Sequence, residues 1–130
     1  MQRSFYRLAF LLVLAGLVLS ACGKAQDGAA QAIEAYLKGV VSKNIDMTIN
    51  QSCAAWEQQA QIEVDSFGAV TARLEGLSCK ETGKDGASSL VACQGKIILT
   101  YDQEDQEINL EDRIYKVVQE GGEWRMCGYQ

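Results

Sequence analysis

Residues 113–127 read RIYKVVQEGGEWRMC, and the fold is decided by how this stretch is folded back on itself. A run rich in Ile, Tyr and Val meets a Gly-Gly pair, and a second run with a Trp follows. Glycine enters the left-handed region that a two-residue hairpin demands, so Gly121-Gly122 is predicted as a tight turn between antiparallel strands. The first strand is expected within INLEDRIYKVVQ (108–119) and the second within EWRMCGY (123–129).

Upstream, AVTARLEGLSC (69–79) and SLVACQGKIILTY (89–101) flank KETGKDGAS, whose Asp85-Gly86 is a strong turn signal. In the second of these strands Val91, Cys93, Ile97, Leu99 and Tyr101 share one face at period two, and Gln94, Lys96 and Thr100 point the other way. DQEDQE (102–107) is expected to be a wider turn. The chain has no proline, so its turns fall to twelve glycines, with Asn and Asp.

Before the strands the period changes. In DGAAQAIEAYLKGVVSKN (27–44), Asp27 is a fair N-cap and Ile33, Tyr36, Leu37, Val40 and Val41 recur at helical spacing, with Asn44 as a stop. In DMTINQSCAAWEQQAQIEVDSF (46–67), Ile49, Cys53, Trp56, Ala60, Val64 and Phe67 form one stripe of a second helix, and Gln58, Gln61 and Asp65 lie opposite. The expected fold class is therefore α+β: two N-terminal helices on a four-stranded antiparallel meander.

The helix AIEAYLKGVVSKN, the helix after it and the closing hairpin with Tyr115 and Trp124 resemble the nuclear transport factor 2-like superfamily, and within it the small SnoaL-like or cystatin-like domains of bacterial lipoproteins. The resemblance spans residues 29–129 and implies a curved sheet wrapped around the helices. A cystatin-like helix-on-sheet domain is the alternative. The superfamily's enzymes, of the ketosteroid isomerase and polyketide cyclase types, place an Asp or His base in an apolar cone beside a Tyr or Asp oxyanion donor. This chain has no histidine. Asp46 follows the first helix, and it is expected to begin the second rather than act as a base. Tyr36, Trp56, Tyr101 and Tyr115 are expected on inward faces, as core or as the lining of a small pocket. No Ser stands in a G-x-S-x-G elbow, and no catalytic residue is assigned.

Five cysteines are present. Cys53, Cys79, Cys93 and Cys127 are an even set in a small domain, which reads as two disulfides with three possible connectivities. A hairpin centred on Gly86 sets Cys79 opposite Cys93, leaving Cys53 on the helix stripe to reach Cys127. Without a C-x-x-C or a histidine, a zinc site is not expected. Asp102, Glu104, Asp105 and Glu107 have the oxygen ligands calcium takes, but their spacing is not that of an EF-hand loop. No metal and no cofactor are expected.

The fifth cysteine belongs to the N-terminus, MQRSFYRLAFLLVLAGLVLSAC. Arg3 and Arg7 precede an uncharged apolar run from Leu8 to Leu19, too short for a bilayer span of roughly 20 residues and patterned as an export signal. Leu19-Ser20-Ala21-Cys22 resembles the lipobox of bacterial lipoproteins, which implies a diacylglycerol thioether on Cys22 and cleavage before it. Residues 1–21 are then a signal peptide, 22–28 a lipid-anchored tether, and 29–130 one α+β domain. Gly23 rather than Asp after that cysteine implies that transfer to an outer membrane is permitted where the host has two. Two or three acyl chains on Cys22 anchor stably where one holds only marginally.

Removing Arg3 and Arg7 from the 12 basic residues leaves ten against 17 acids, a side-chain charge of −7. Such a domain is repelled by nucleic acid and by anionic lipid. The expectation is an exported, membrane-anchored lipoprotein whose partner is the membrane through Cys22, with an envelope protein or a small ligand held by the domain without catalysis. An isomerase- or cyclase-like enzyme and a structural accessory of an envelope complex are the alternatives.

Overall fold

The computed structural model describes residues 27–130; the expected signal peptide, Cys22 and the expected tether up to residue 26 lie outside the described residues. Three helices precede a five-stranded antiparallel sheet: α1 (Gly28–Val41), α2 (Ile45–Asn50), α3 (Glu57–Ser66), β1 (Thr71–Asp85), β2 (Ser88–Tyr101), β3 (Glu104–Asn109), β4 (Ile114–Glu120) and β5 (Glu123–Tyr129). A short 3-10 turn, Leu110–Asp112, separates β3 from β4.

Helix α1 begins as its sequence requires. Asp27 Oδ1 accepts from the amides of Ala29 and Ala30 at 3.2 and 3.3 Å, satisfying two donors that the first turn leaves free. Asp27 and Gly28, assigned above to the tether, are thus the cap and first residue of the domain. Ile33, Tyr36, Leu37 and Val40 are buried along the inward stripe. After Val41 the chain turns through Lys43, at φ 59°, and Asn44 caps α2 by accepting from Met47 N at 3.0 Å. A Cβ on Gly39 would lie 2.5 Å from Thr48 Oγ1, so the absence of a side chain there lets α1 and α2 meet closely.

The single helix expected over 46–67 is two. Between them Cys53 N donates to Met126 O at 2.8 Å and Met126 N to Gln51 O at 2.6 Å. Backbone groups that would have continued the helix are taken by strand β5 instead, and Cys53 is tied to Cys127. The exposed face of α3 is as expected, with Gln58, Gln61 and Asp65 in solvent.

The sheet also departs from a four-stranded meander. DQEDQE is not a wide turn: Asp102 and Gln103, at φ 46° and 69°, make a two-residue turn, and Glu104 already pairs with Tyr101. Strand β3 pairs with Lys96–Tyr101 and β4 with Ser89–Ala92, so two short strands share one long partner. The change of partner follows from a bend. At Gly95, φ 99°, a Cβ would lie 2.5 Å from Glu75 O and 2.6 Å from the Gly76 carbonyl. The β1–β2 register slips beside this crossing, between Glu75 and Ser78, as a bulge that curls a sheet does. The helices fill the concave side, where Val91, Cys93, Ile97, Tyr115, Val117 and Met126 meet α1 and α3.

The register beyond the bend is the expected one. Cys79 stands opposite Cys93, Gly121 and Gly122 turn the last hairpin at positive φ, and both expected disulfides, Cys79–Cys93 and Cys53–Cys127, are formed. No helix among the described residues is long and apolar enough to cross a membrane.

Candidate functional site

Between α1, α3 and the curved sheet lies an open cavity of about 520 Å³, within the range of small-molecule sites. Leu37 and Val40 from α1, Phe67 after α3, and Ile97, Ile108 and Leu110 from the sheet side give it apolar walls. Glu63 is the acid among its lining residues and Arg113 the cation.

Glu63 is held rather than free. Tyr36 Oη donates to Glu63 Oε2 at 2.7 Å, and Tyr129 Oη reaches both carboxylate oxygens at 2.9 Å. Trp56 Nε1 donates in turn to Tyr36 Oη at 3.1 Å. Donors from α1 and β5 thus converge on one carboxylate, and Trp56 at the α2–α3 junction orients the first of them. The aromatic rings brace one another: Tyr129 lies edge-on to Trp56 and to Tyr115, with centroids 5.4 Å apart in each case.

Electrostatics keep those hydroxyls protonated. Burial, then the Glu63 interactions, push the Tyr36 and Tyr129 phenols far above their ordinary range. Tyr115 is pushed up to about 12, chiefly by burial and against the opposing pull of Arg113. Neutral phenols in apolar surroundings are firm donors and poor acids. Two hydroxyl protons, one of them shared between both oxygens, thus fix the carboxylate in place.

Arg113 sits at the other side of Tyr129, its guanidinium carbon 4.9 Å from the ring centroid. Among the described residues it forms no ion pair, whereas Arg73, Lys96, Lys116 and Arg125 all do.

Of the residues proposed from the sequence, Tyr115 lines the cavity. Tyr36 and Trp56 lie behind its wall and act through Glu63. Tyr101 is a correction: it is 57 % exposed, because β2 runs on past the helices to the two-residue turn, so it belongs to no pocket. Asp46 is exposed in the first turn of α2 and does not line the cavity. The acidic turn is occupied by its own neighbours: Asp105 accepts from Arg73 and Thr100, and Glu107 from Lys96.

Sequence reasoning missed Glu63, Arg113 and Tyr129. For Glu63 the signal was present, since 56, 60, 63 and 67 follow helical steps and an acid on an apolar stripe calls for a partner. Tyr129 was hidden by a bulge. Lys116 faces Gly128 but Val117 faces Met126, so Cys127 is the extra residue, and Tyr129 returns to the inward face it would otherwise have missed.

No family model and no curated protein matches the sequence. Among solved structures, a SEC-C motif containing protein from Rhodopseudomonas palustris superposes with a TM-score of 0.52 at 10 % identity, over 81 % of this chain and 80 % of that one. Aln2 from a Streptomyces species gives 0.52 at 11 % identity, over 78 % of this chain and 85 % of that one. A designed nuclear transport factor 2-like protein aligns at 12 % identity over 77 % of this chain and 94 % of its own, with a TM-score of 0.47. At these identities the likeness concerns the fold alone, an α+β domain with helices packed on an antiparallel sheet.

Proposed function

We propose that this chain is an exported lipoprotein, held to the cell membrane by lipid on Cys22, whose domain reversibly binds a small ligand in the cavity between α1, α3 and the sheet and does no chemistry on it. Gly23 leaves the outer membrane open as its destination in a host with two membranes. The observation that carries the binding reading is the state of the acid that lines the cavity. Glu63 already receives the hydroxyls of Tyr36 and Tyr129, so the groups that could serve as base and oxyanion donor are hydrogen-bonded to each other in the absence of a ligand. What is left facing the space is mainly apolar wall, which suits burial of a ligand body at about 25 cal/mol per Å².

The isomerase- or cyclase-like reading draws on the same contact, a carboxylate beside tyrosines in an apolar hollow. Glu63→Gln separates the two. An amide keeps an acceptor for the tyrosines, so a binding module retains its ligand, while general base catalysis disappears.

The test is native mass spectrometry of the lipidated protein recovered from membranes, beside the variant Ile108→Trp, which fills the half-buried mouth of the cavity. A small molecule that travels with the native protein and is lost from the variant is the expected result. Two empty proteins would sink the cavity reading. For the anchor, Cys22→Ala should accumulate as unprocessed precursor without fatty-acid label; normal processing of that variant would overturn it.

A further inference from the structure

Of the two charged side chains that line the cavity, one has side-chain partners and the other has none among the described residues. Glu63 presents acceptor atoms, and the hydroxyls of Tyr36 and Tyr129 already point at them. Arg113 presents donors, and among the described residues none of them is used in a side-chain hydrogen bond or an ion pair, although Arg113 lines the opening. A guanidinium offers five N–H groups in a fixed fork that matches a carboxylate in two parallel bonds. Here the exposed guanidinium rests over the Tyr129 ring, whose hydroxyl is fixed by Glu63, which favours the conformers that keep it beside the cavity.

Resting on the ligand-binding reading above, we propose that the cavity takes an anionic amphiphile, an apolar chain or ring lying against Leu37, Phe67 and Ile108 with a single carboxylate-type head on Arg113. The charge arrangement selects against the opposite case. A cationic head would meet unpaired guanidinium at the rim, and it would find the carboxylate of Glu63 behind hydroxyls that already point at it. A neutral head would leave the Arg113 donors to water and gain only the apolar contact. Selection therefore comes from the head, and general affinity from the walls.

The experiment uses the full chain in amphipol, titrated with decanoate, decanol and decyltrimethylammonium, which share a tail and differ in charge. Binding is read from the NMR shift of the Trp56 indole N–H, a local probe insensitive to partition into the amphipol. Decanoate is expected to bind at least about 10-fold more tightly than decanol, a difference of about 1.4 kcal/mol, and decyltrimethylammonium more weakly than either. In Arg113→Gln decanoate should fall to the level of decanol, with decanol itself unchanged, and Arg113→Lys should recover part of the difference. Equal binding of all three, or tightest binding of the cation, overturns the anionic preference and leaves a cavity that binds apolar bodies. No binding of any of the three overturns the cavity as a ligand site and this inference with it.

Discussion

Two positions show how much the fold asks of single residues. At Gly95 the left-handed φ and the 2.5 Å approach to Glu75 O act together, so Gly95→Ala should cost about 3 kcal/mol, as backbone strain adds to overpacking. Thermal unfolding checks it, and a loss below about 1 kcal/mol would mean the bend tolerates a side chain. At Gln103 the opposite holds. The side chain sits at φ 69° in the turn to β3, a conformation that costs L-residues roughly 1–2 kcal/mol and glycine almost nothing. Gln103→Gly should therefore raise the melting temperature by about 5 °C. Neither effect is legible in the sequence. Gly95 reads as one glycine in a strand, and nothing in YDQEDQE announces two consecutive left-handed residues in the absence of glycine. Glu63 was closer to legible, because helical arithmetic alone puts it beside Trp56, Ala60 and Phe67.

At the scale of elements, local signals were good guides and long-range pairings were not. The cap at Asp27, the turns at Gly86 and Gly121, and the Cys79–Cys93 register all follow from nearby residues, and all are present. The break between α2 and α3 was not readable, since its cause is 74 residues further along the chain, where Met126 and Cys127 claim Gln51 and Cys53. The split of β3 from β4 has a similar origin, in the bend of their shared partner β2. The disulfides differ in the same sense. Cys79–Cys93 closes a span of 14 and Cys53–Cys127 one of 74, which correspond to about 3 and 4 kcal/mol of loop entropy before strain. Replacing Cys53 and Cys127 by Ala should cost the more of the two. It should also raise amide exchange through residues 51–56 ahead of the rest, which hydrogen exchange can follow. Uniform exchange across the domain would deny that this bond fastens the helix break to the sheet.

For the whole molecule the buried phenols set a limit at high pH. Tyr36, Tyr115 and Tyr129 all have folded pKa values raised above the ordinary 10.0 of a tyrosine, Tyr115 to about 12. A group that holds its proton more tightly when folded contributes stability that is complete below its unfolded pKa and is lost as pH rises toward the folded one. Stability should thus be flat on this account up to about pH 10 and fall beyond it, the Tyr115 share going between about 10 and 12 and the others later. Phenolate absorbance during an alkaline titration should rise together with loss of near-ultraviolet circular dichroism. Full ionisation of all tyrosines with the circular dichroism intact would contradict the burial. The sheet margins carry a last consequence. Cys79 N and Glu81 N on β1 donate to Glu34 and Asp27 of the first helix and its cap, Met126 on β5 is bonded to residues 51–53, and β3 carries Glu104, Asp105 and Glu107 in a row. Two margins have part of their backbone already engaged from within, and the third carries charged side chains, devices that hinder edge-to-edge pairing. Copies brought side by side would meet these guarded points before free backbone, which disfavours a strand-to-strand zip and keeps neighbouring domains separate bodies.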